Sequence, residues 1–230
     1  MIRRKHFSAL SAALVISLLM TMLGGCGRRD AAAEPTAPIQ AAETAGPAEP
    51  TGSPAAEADA GRRDGERFEA VIILEGMEET VHYEHLRNDT LGFEMDYDYG
   101  SFVRHSEADR EIFVSCWDDP DRPENYLEVS YSPLDAETAA ANVSAALSNE
   151  YEISREDSFM LDRAGRCIRI DASEVKGGGY MPEYLQTVYI VPAGDGCRIA
   201  AVHSYIVESE GFGRRFRYMM NTFSVLTAQR

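Results

Sequence analysis

Three groups of residues in this chain carry side chains and spacings that invite a chemical reading. The most compact is His82-Tyr83-Glu84-His85. On a helix the two histidines would share a face and could hold a metal ion; on a strand His82 and Glu84 point one way and His85 the other. No second cluster with ligand spacing follows, so an exposed strand face is expected. Carboxylates form the second group. Glu94, Asp96 and Asp98 recur along one strand face, expected to be the wet one, and Asp118, Asp119, Asp121 and Glu124 crowd a loop. Calcium takes about six to eight oxygens from flexible backbone. The loop is the candidate for it, yet it lacks the Asp-x-Asp-x-Asp-Gly run and spaced glutamate of an EF-hand. A solvated acidic turn is the competing reading. Paired carboxylates also act as acid and base in glycoside hydrolysis, at a separation that a residue list does not contain.

The third group is sulfur: the chain has 4 cysteines. Cys116, Cys167 and Cys197 lie in strand patterns, where a free thiol packs as a small apolar group, and all three are expected free and buried. Cys167 with Cys197 is the first pair to test for a disulfide, but a simple meander puts a third strand between them, too far apart to bridge. No Gly-x-Ser-x-Gly or Ser-x-x-Lys run supplies an activated serine. Lys176-Gly177-Gly178-Gly179-Tyr180 opens no helix and cannot cradle a phosphate. It is expected to be a mobile loop that meets a partner through Tyr180 and Tyr184. No catalytic residue is assigned, no cofactor is expected, and the reading favours a protein that is not an enzyme.

The fourth cysteine has a different setting. Arg3, Arg4 and Lys5 form a basic start, and Leu10 to Leu23 form an apolar run ending in Leu23-Gly24-Gly25-Cys26. The run is short for a bilayer span, which needs about 20 apolar residues, but suits a secretory signal. Its end resembles a bacterial lipobox: an aliphatic residue, two small residues, then cysteine. The resemblance implies cleavage before Cys26, a diacylglyceryl thioether on its sulfur and an acyl group on the new amino terminus. Residues 1–25 are then a lipoprotein signal peptide. The mature chain sits on the extracytoplasmic face of the cell membrane through its lipid.

Residues 26–67 follow as a linker of Ala, Glu, Pro, Gly and Thr, with Ile39 its one large aliphatic residue. Such a composition cannot offset its ordering entropy and is expected to be disordered. As a coil it spans roughly 35 Å. Residues 68–230, about 160 in number, suit a single globular domain. The formal charge of the whole chain is -16, and loss of the basic start makes it more negative. A surface of that sign repels nucleic acid and anionic lipid headgroups.

The elements that must position these groups are mostly strands. Val71 to Leu74, Thr80 to Leu86, Leu91 to Tyr97, Ile112 to Trp117 and Tyr126 to Ser132 show apolar runs or period-two alternation. Ala136, Ala140, Val143 and Leu147 recur at helical spacing. Strands return at Arg166 to Ala172, Tyr184 to Val191 and Cys197 to Val207, the last two joined by Pro192-Ala193-Gly194-Asp195-Gly196. A second helix over Ser209 to Thr222 buries Phe212, Phe216, Met219 or Met220 and Phe223. Its Arg214, Arg215 and Arg217 are expected on a solvated face.

This layout predicts an α+β domain, a mainly antiparallel β-sheet covered by two helices. Leu91-Gly92-Phe93 opening a strand, the mid-domain helix, Gly165 to Ile170 and a closing helix running into Thr222-Phe223 resemble the PsbP-type α/β sandwich. That resemblance covers most of the domain and implies a fold, not an activity. The expected function is a non-catalytic binding or interaction domain at the cell envelope, with an envelope protein or glycan as partner. The alternatives are an envelope hydrolase using its acidic residues and an accessory subunit of a membrane complex.

Overall fold

The computed structural model describes residues 61–74, 76–119, 121–175, 184–205 and 209–226, of which 174, 175, 184, 209 and 210 by backbone alone. Cys26, the signal and most of the linker lie outside the described residues, as does the glycine-rich segment with Tyr180. Tyr184 is described only as the first residue of a strand, in register with Tyr205.

Alternation of large apolar and polar side chains runs through most of the described chain, and strands result. The elements are β1 (Arg67–Leu74), β2 (Met77–Asn88), β3 (Phe93–Asp98), β4 (Phe102–Ser106), β5 (Arg110–Ser115), β6 (Tyr126–Ser132), α1 (Ala136–Leu147), β7 (Tyr151–Leu161), β8 (Gly165–Val175), β9 (Tyr184–Ala193), β10 (Gly196–Tyr205), α2 (Ser209–Thr222) and β11 (Ser224–Val225). They form two sheets in the orders β1-β2-β3-β11 and β4-β5-β6-β10-β9-β8-β7. Every pairing is antiparallel. The domain is therefore α+β and mainly antiparallel, with two sheets where the sequence suggested one.

The large sheet is apolar on both sides at its centre. Along β8, Cys167 faces the smaller sheet while Ile168 and Ile170 face α1; along β9, Tyr189 and Val191 face the first way and Val188 and Ile190 the second. Two covers are needed. The first is α1, which carries the chain from β6 across to the far edge strand β7. Asp135 caps its first turn by accepting from Thr138 N at 2.9 Å. Ala139 and Ala140 on its inner face let it lie close to the sheet. The second cover is the small sheet with α2, whose Phe216, Met219 and Met220 enter the main core beside Phe93, Phe113 and Leu127.

Several details depart from the sequence reading. Strands β4 and β7 were not anticipated; β7 is an edge strand with mostly exposed side chains, a charged middle and two register shifts against β8. Such features blunt an edge and erase the alternation. β3 begins at Phe93 because Gly92 takes a left-handed φ of 70°. β5 stops at Ser115, which leaves Cys116 exposed, not buried, and Trp117 on the surface. Packing also begins ahead of Phe68: Gly65 N donates to His85 O at 2.8 Å, and the Arg62 guanidinium lies 3.7 Å from the Phe68 ring centroid.

Phe223 has no exposed surface and stacks on Phe93 with ring centroids 5.4 Å apart. Phe223→Ala leaves a cavity where β11, β3 and α2 meet. It should lower unfolding free energy by about 3–5 kcal/mol, measured by chemical denaturation.

Candidate functional site

The turns at one end of the two sheets gather around a half-open cleft of about 950 Å³. One wall is the β2–β3 turn. Asn88 Oδ1 accepts from Leu91 N and Asn88 O from Gly92 N, both at 2.8 Å, which folds the chain back tightly. The β7–β8 turn supplies Arg163 and Ala164, and the β9–β10 hairpin supplies Gly194 and Asp195. β11 closes the cleft, with Leu226 N donating to Gly92 O at 3.0 Å.

The charged lining is three arginines against two aspartates: Arg87, Arg163 and Arg198, with Asp89 and Asp195. Arg87 Nε donates to Asp89 Oδ1 at 2.9 Å. Arg198 Nη1 and Nη2 donate to Asp195 Oδ1 and Oδ2 at 3.0 and 3.2 Å. That pair holds the Asp195 carboxyl below its ordinary value. Ser224 gives its hydroxyl to Glu94 at 3.1 Å. Neither histidine nor cysteine lines the cleft. Its lining is suited to holding a charged or hydrogen-bonding group.

Behind Arg163 lies a buried charge network on the small sheet. Asp96 Oδ2 accepts from Arg62 Nη1 at 3.0 Å, and Arg163 Nη2 is 3.9 Å from the same oxygen. Asp96 Oδ1 is 2.7 Å from His85 Nδ1. Burial pushes the Asp96 carboxyl above its ordinary value, against the downward pull of His85 and Arg62. A carboxylate oriented on an imidazole also occurs in catalytic triads, but His85 is 3% exposed and lines no part of the cleft. The pair ties β2 to β3.

The histidine run thus divides as strand geometry requires: His82 is exposed near Glu69, and His85 points the other way. His85 corrects the expectation of an exposed face. Asp96 and Asp98 correct it too, being 0% and 1% exposed where a wet face was expected. Asp98 is satisfied on both oxygens. Oδ1 accepts from Gly100 N and Ser101 N at 3.1 Å, and Oδ2 from Arg215 Nη1 at 2.7 Å. Arg215 also binds Glu79, so it leaves the solvated face that Arg214 and Arg217 keep.

The acidic loop does not focus its carboxylates on a point. Asp118 Oδ2 accepts from Glu124 N and Asn125 N at 2.7 and 2.6 Å, and Asp119 Oδ1 from Asp121 N at 2.9 Å. These side chains shape the loop. Among the described residues no group of three or more His, Cys, Asp or Glu could hold a metal ion. Cys167 and Cys197 are free and buried on opposite faces of the large sheet, with β9 between their strands.

No family model matches the chain, and no curated protein does. Solved structures similar to it include two at 12% identity each. One is the solution structure of cyanobacterial PsbP (CyanoP) from Synechocystis sp. PCC 6803, with TM-score 0.42 over 62% of this chain and 92% of that one. The other is from Bacteroides thetaiotaomicron VPI-5482, with TM-score 0.37 over 60% of this chain. This chain spans 47% of the Bacteroides protein. Likeness at this level says nothing of activity.

Sequence reasoning missed the cleft. Its arginines are far apart in the chain, and the turns that bring them together read as punctuation. It also missed His203, which stacks on Tyr126 at 4.2 Å and lies 3.2 Å from Gln186 Nε2. Burial lowers its pKa from 6.5 to about 4. A folded pKa below the unfolded one means stability that is complete above pH 6.5 and lost as pH falls through about 4. The loss attributable to His203 should be about 3 kcal/mol. Denaturation curves at neutral and acid pH should show a fall in stability that is smaller by about that amount in His203→Gln.

Proposed function

We propose that this chain is a bacterial lipoprotein whose domain is a binding module, held by lipid on Cys26 at the extracytoplasmic face of the cell membrane. The observation that carries the anchor is Leu23-Gly24-Gly25-Cys26, placed directly after a basic start and an apolar run. Two acyl chains hold a protein stably on a bilayer where one does so only marginally. The lipid thus suffices as the attachment, and among the described residues no helix is long and apolar enough to cross a membrane. The segment behind Cys26 acts as a spacer that carries the domain away from the surface.

The cleft favours binding over catalysis, because its lining joins charge and backbone without a nucleophile set against a histidine base. The partner is an envelope protein or glycan. Nucleic acid is disfavoured, since a chain of charge -16 would meet phosphates with repulsion.

Cys26→Ala should move the protein from the membrane pellet to the soluble fraction. Intact mass of the membrane-extracted wild type should match a chain starting at an acylated Cys26. An unmodified Met1 start would sink the anchor. Crosslinking in native membranes, followed by capture, should recover a specific envelope partner; recovery of none would count against the binding module.

A further inference from the structure

A chain with 38 acidic and 22 basic residues places three arginines in one cleft, and the most constrained of them is Arg198. Its side chain is 5% exposed. The guanidinium carbon lies 4.7 Å from the Tyr131 ring centroid. Gly92 leaves room for it: a Cβ there would sit 2.3 Å from Arg198 Nη2. The rotamer entropy of this arginine is spent on folding, so a ligand that meets it need not supply that ordering.

What this fixed fork holds is a carboxylate, engaged through both oxygens, which is the strongest geometry available to a guanidinium. The carboxylate belongs to Asp195, three residues away at the hairpin tip. The two partners differ sharply, because the Asp195 side chain is 60% exposed. A side chain on neighbouring Gly194 would meet nothing within 4 Å. A buried, pre-set cation is thus capped by a wet carboxylate, on a residue whose backbone oxygen accepts from the Tyr131 hydroxyl at 2.8 Å. An incoming carboxylate that took this position would lose hydration while Asp195 regained it, so the two desolvation costs offset and the ligand's own contacts must cover its association entropy.

We infer that the cleft binds a carboxylate-bearing ligand at Arg198, with the Asp195 side chain occupying the ligand's place, and that Arg87 supplies a second positive charge at the rim. This rests on reading the domain as a binding module. The planar two-oxygen group already seated on Arg198 favours carboxylate over phosphate.

The test is titration calorimetry and thermal shift on the full-length chain, using acetylalanine, its amide and inorganic phosphate. Acetylalanine should bind saturably and raise the melting temperature, and its amide should not. Asp195→Asn removes the internal competitor without touching the core and should tighten acetylalanine binding on the order of tenfold. Arg198→Lys replaces a fork with a point charge and should weaken it by at least about tenfold. Arg87→Gln, at an exposed site, should weaken it less.

Equal binding of the amide, phosphate binding as tight as acetylalanine, or unchanged affinity in Asp195→Asn would each overturn the inference. Failure here beside a captured envelope partner would leave the binding module standing. Failure here with no partner captured would remove both.

Discussion

The arrangement depends on one constraint: the central strands of the seven-stranded sheet are apolar on both faces. A sheet of that kind cannot leave either side in water. The chain meets the demand asymmetrically, with a short alanine-rich helix on one side and a second sheet with its helix on the other. Alanine permits close approach of α1, whereas α2 brings phenylalanine and methionine to fill a wider gap. Joining the two sheets requires turns that cross between layers, and these turns set where polar groups must be buried.

Those crossings explain the internal charges. Between β3 and β4 the chain leaves one sheet for the other, and Asp98 holds that corner through Gly100 and Ser101 while Arg215 neutralises it. Glu111 of β5 ties the two sheets together where Asn88 of β2 reaches it. It accepts from Arg104 Nε and Nη2, from Ser106 and from Asn88 at 2.8 to 3.0 Å. Each buried carboxylate has donors from separate elements. This is the condition under which buried charge is tolerated. Packing one sheet on the other also brings the turns beside Asn88 together around the arginine-lined cleft.

How far the sequence could be read follows from the same geometry. Helix α1, the β9–β10 hairpin and the opposed directions of His82 and His85 were legible because each depends on local period or turn chemistry. β4 and β7 were not, since edge strands with few large apolar residues among their polar ones show too little alternation to detect. Asp96 and Asp98 sit at positions that pattern alone assigns to water. Their burial depends on Arg62 and Arg215, and Arg215 lies 117 residues from Asp98. The cleft is more remote still, because turns assemble it and no motif spans them.

The three thiols of the domain occupy three different depths of this layering. Cys116 lies at the surface, Cys167 between the two sheets and Cys197 beneath α1. Burial pushes the Cys167 thiol up to about 11 and the Cys197 thiol up as well, so both are protonated and unreactive while their layers stay closed. The fold therefore carries its own set of kinetic reporters. Cys116 is open to a thiol reagent in the folded state, though desolvation raises its thiol too, and the order in which the other two are modified tells which face of the large sheet is uncovered first.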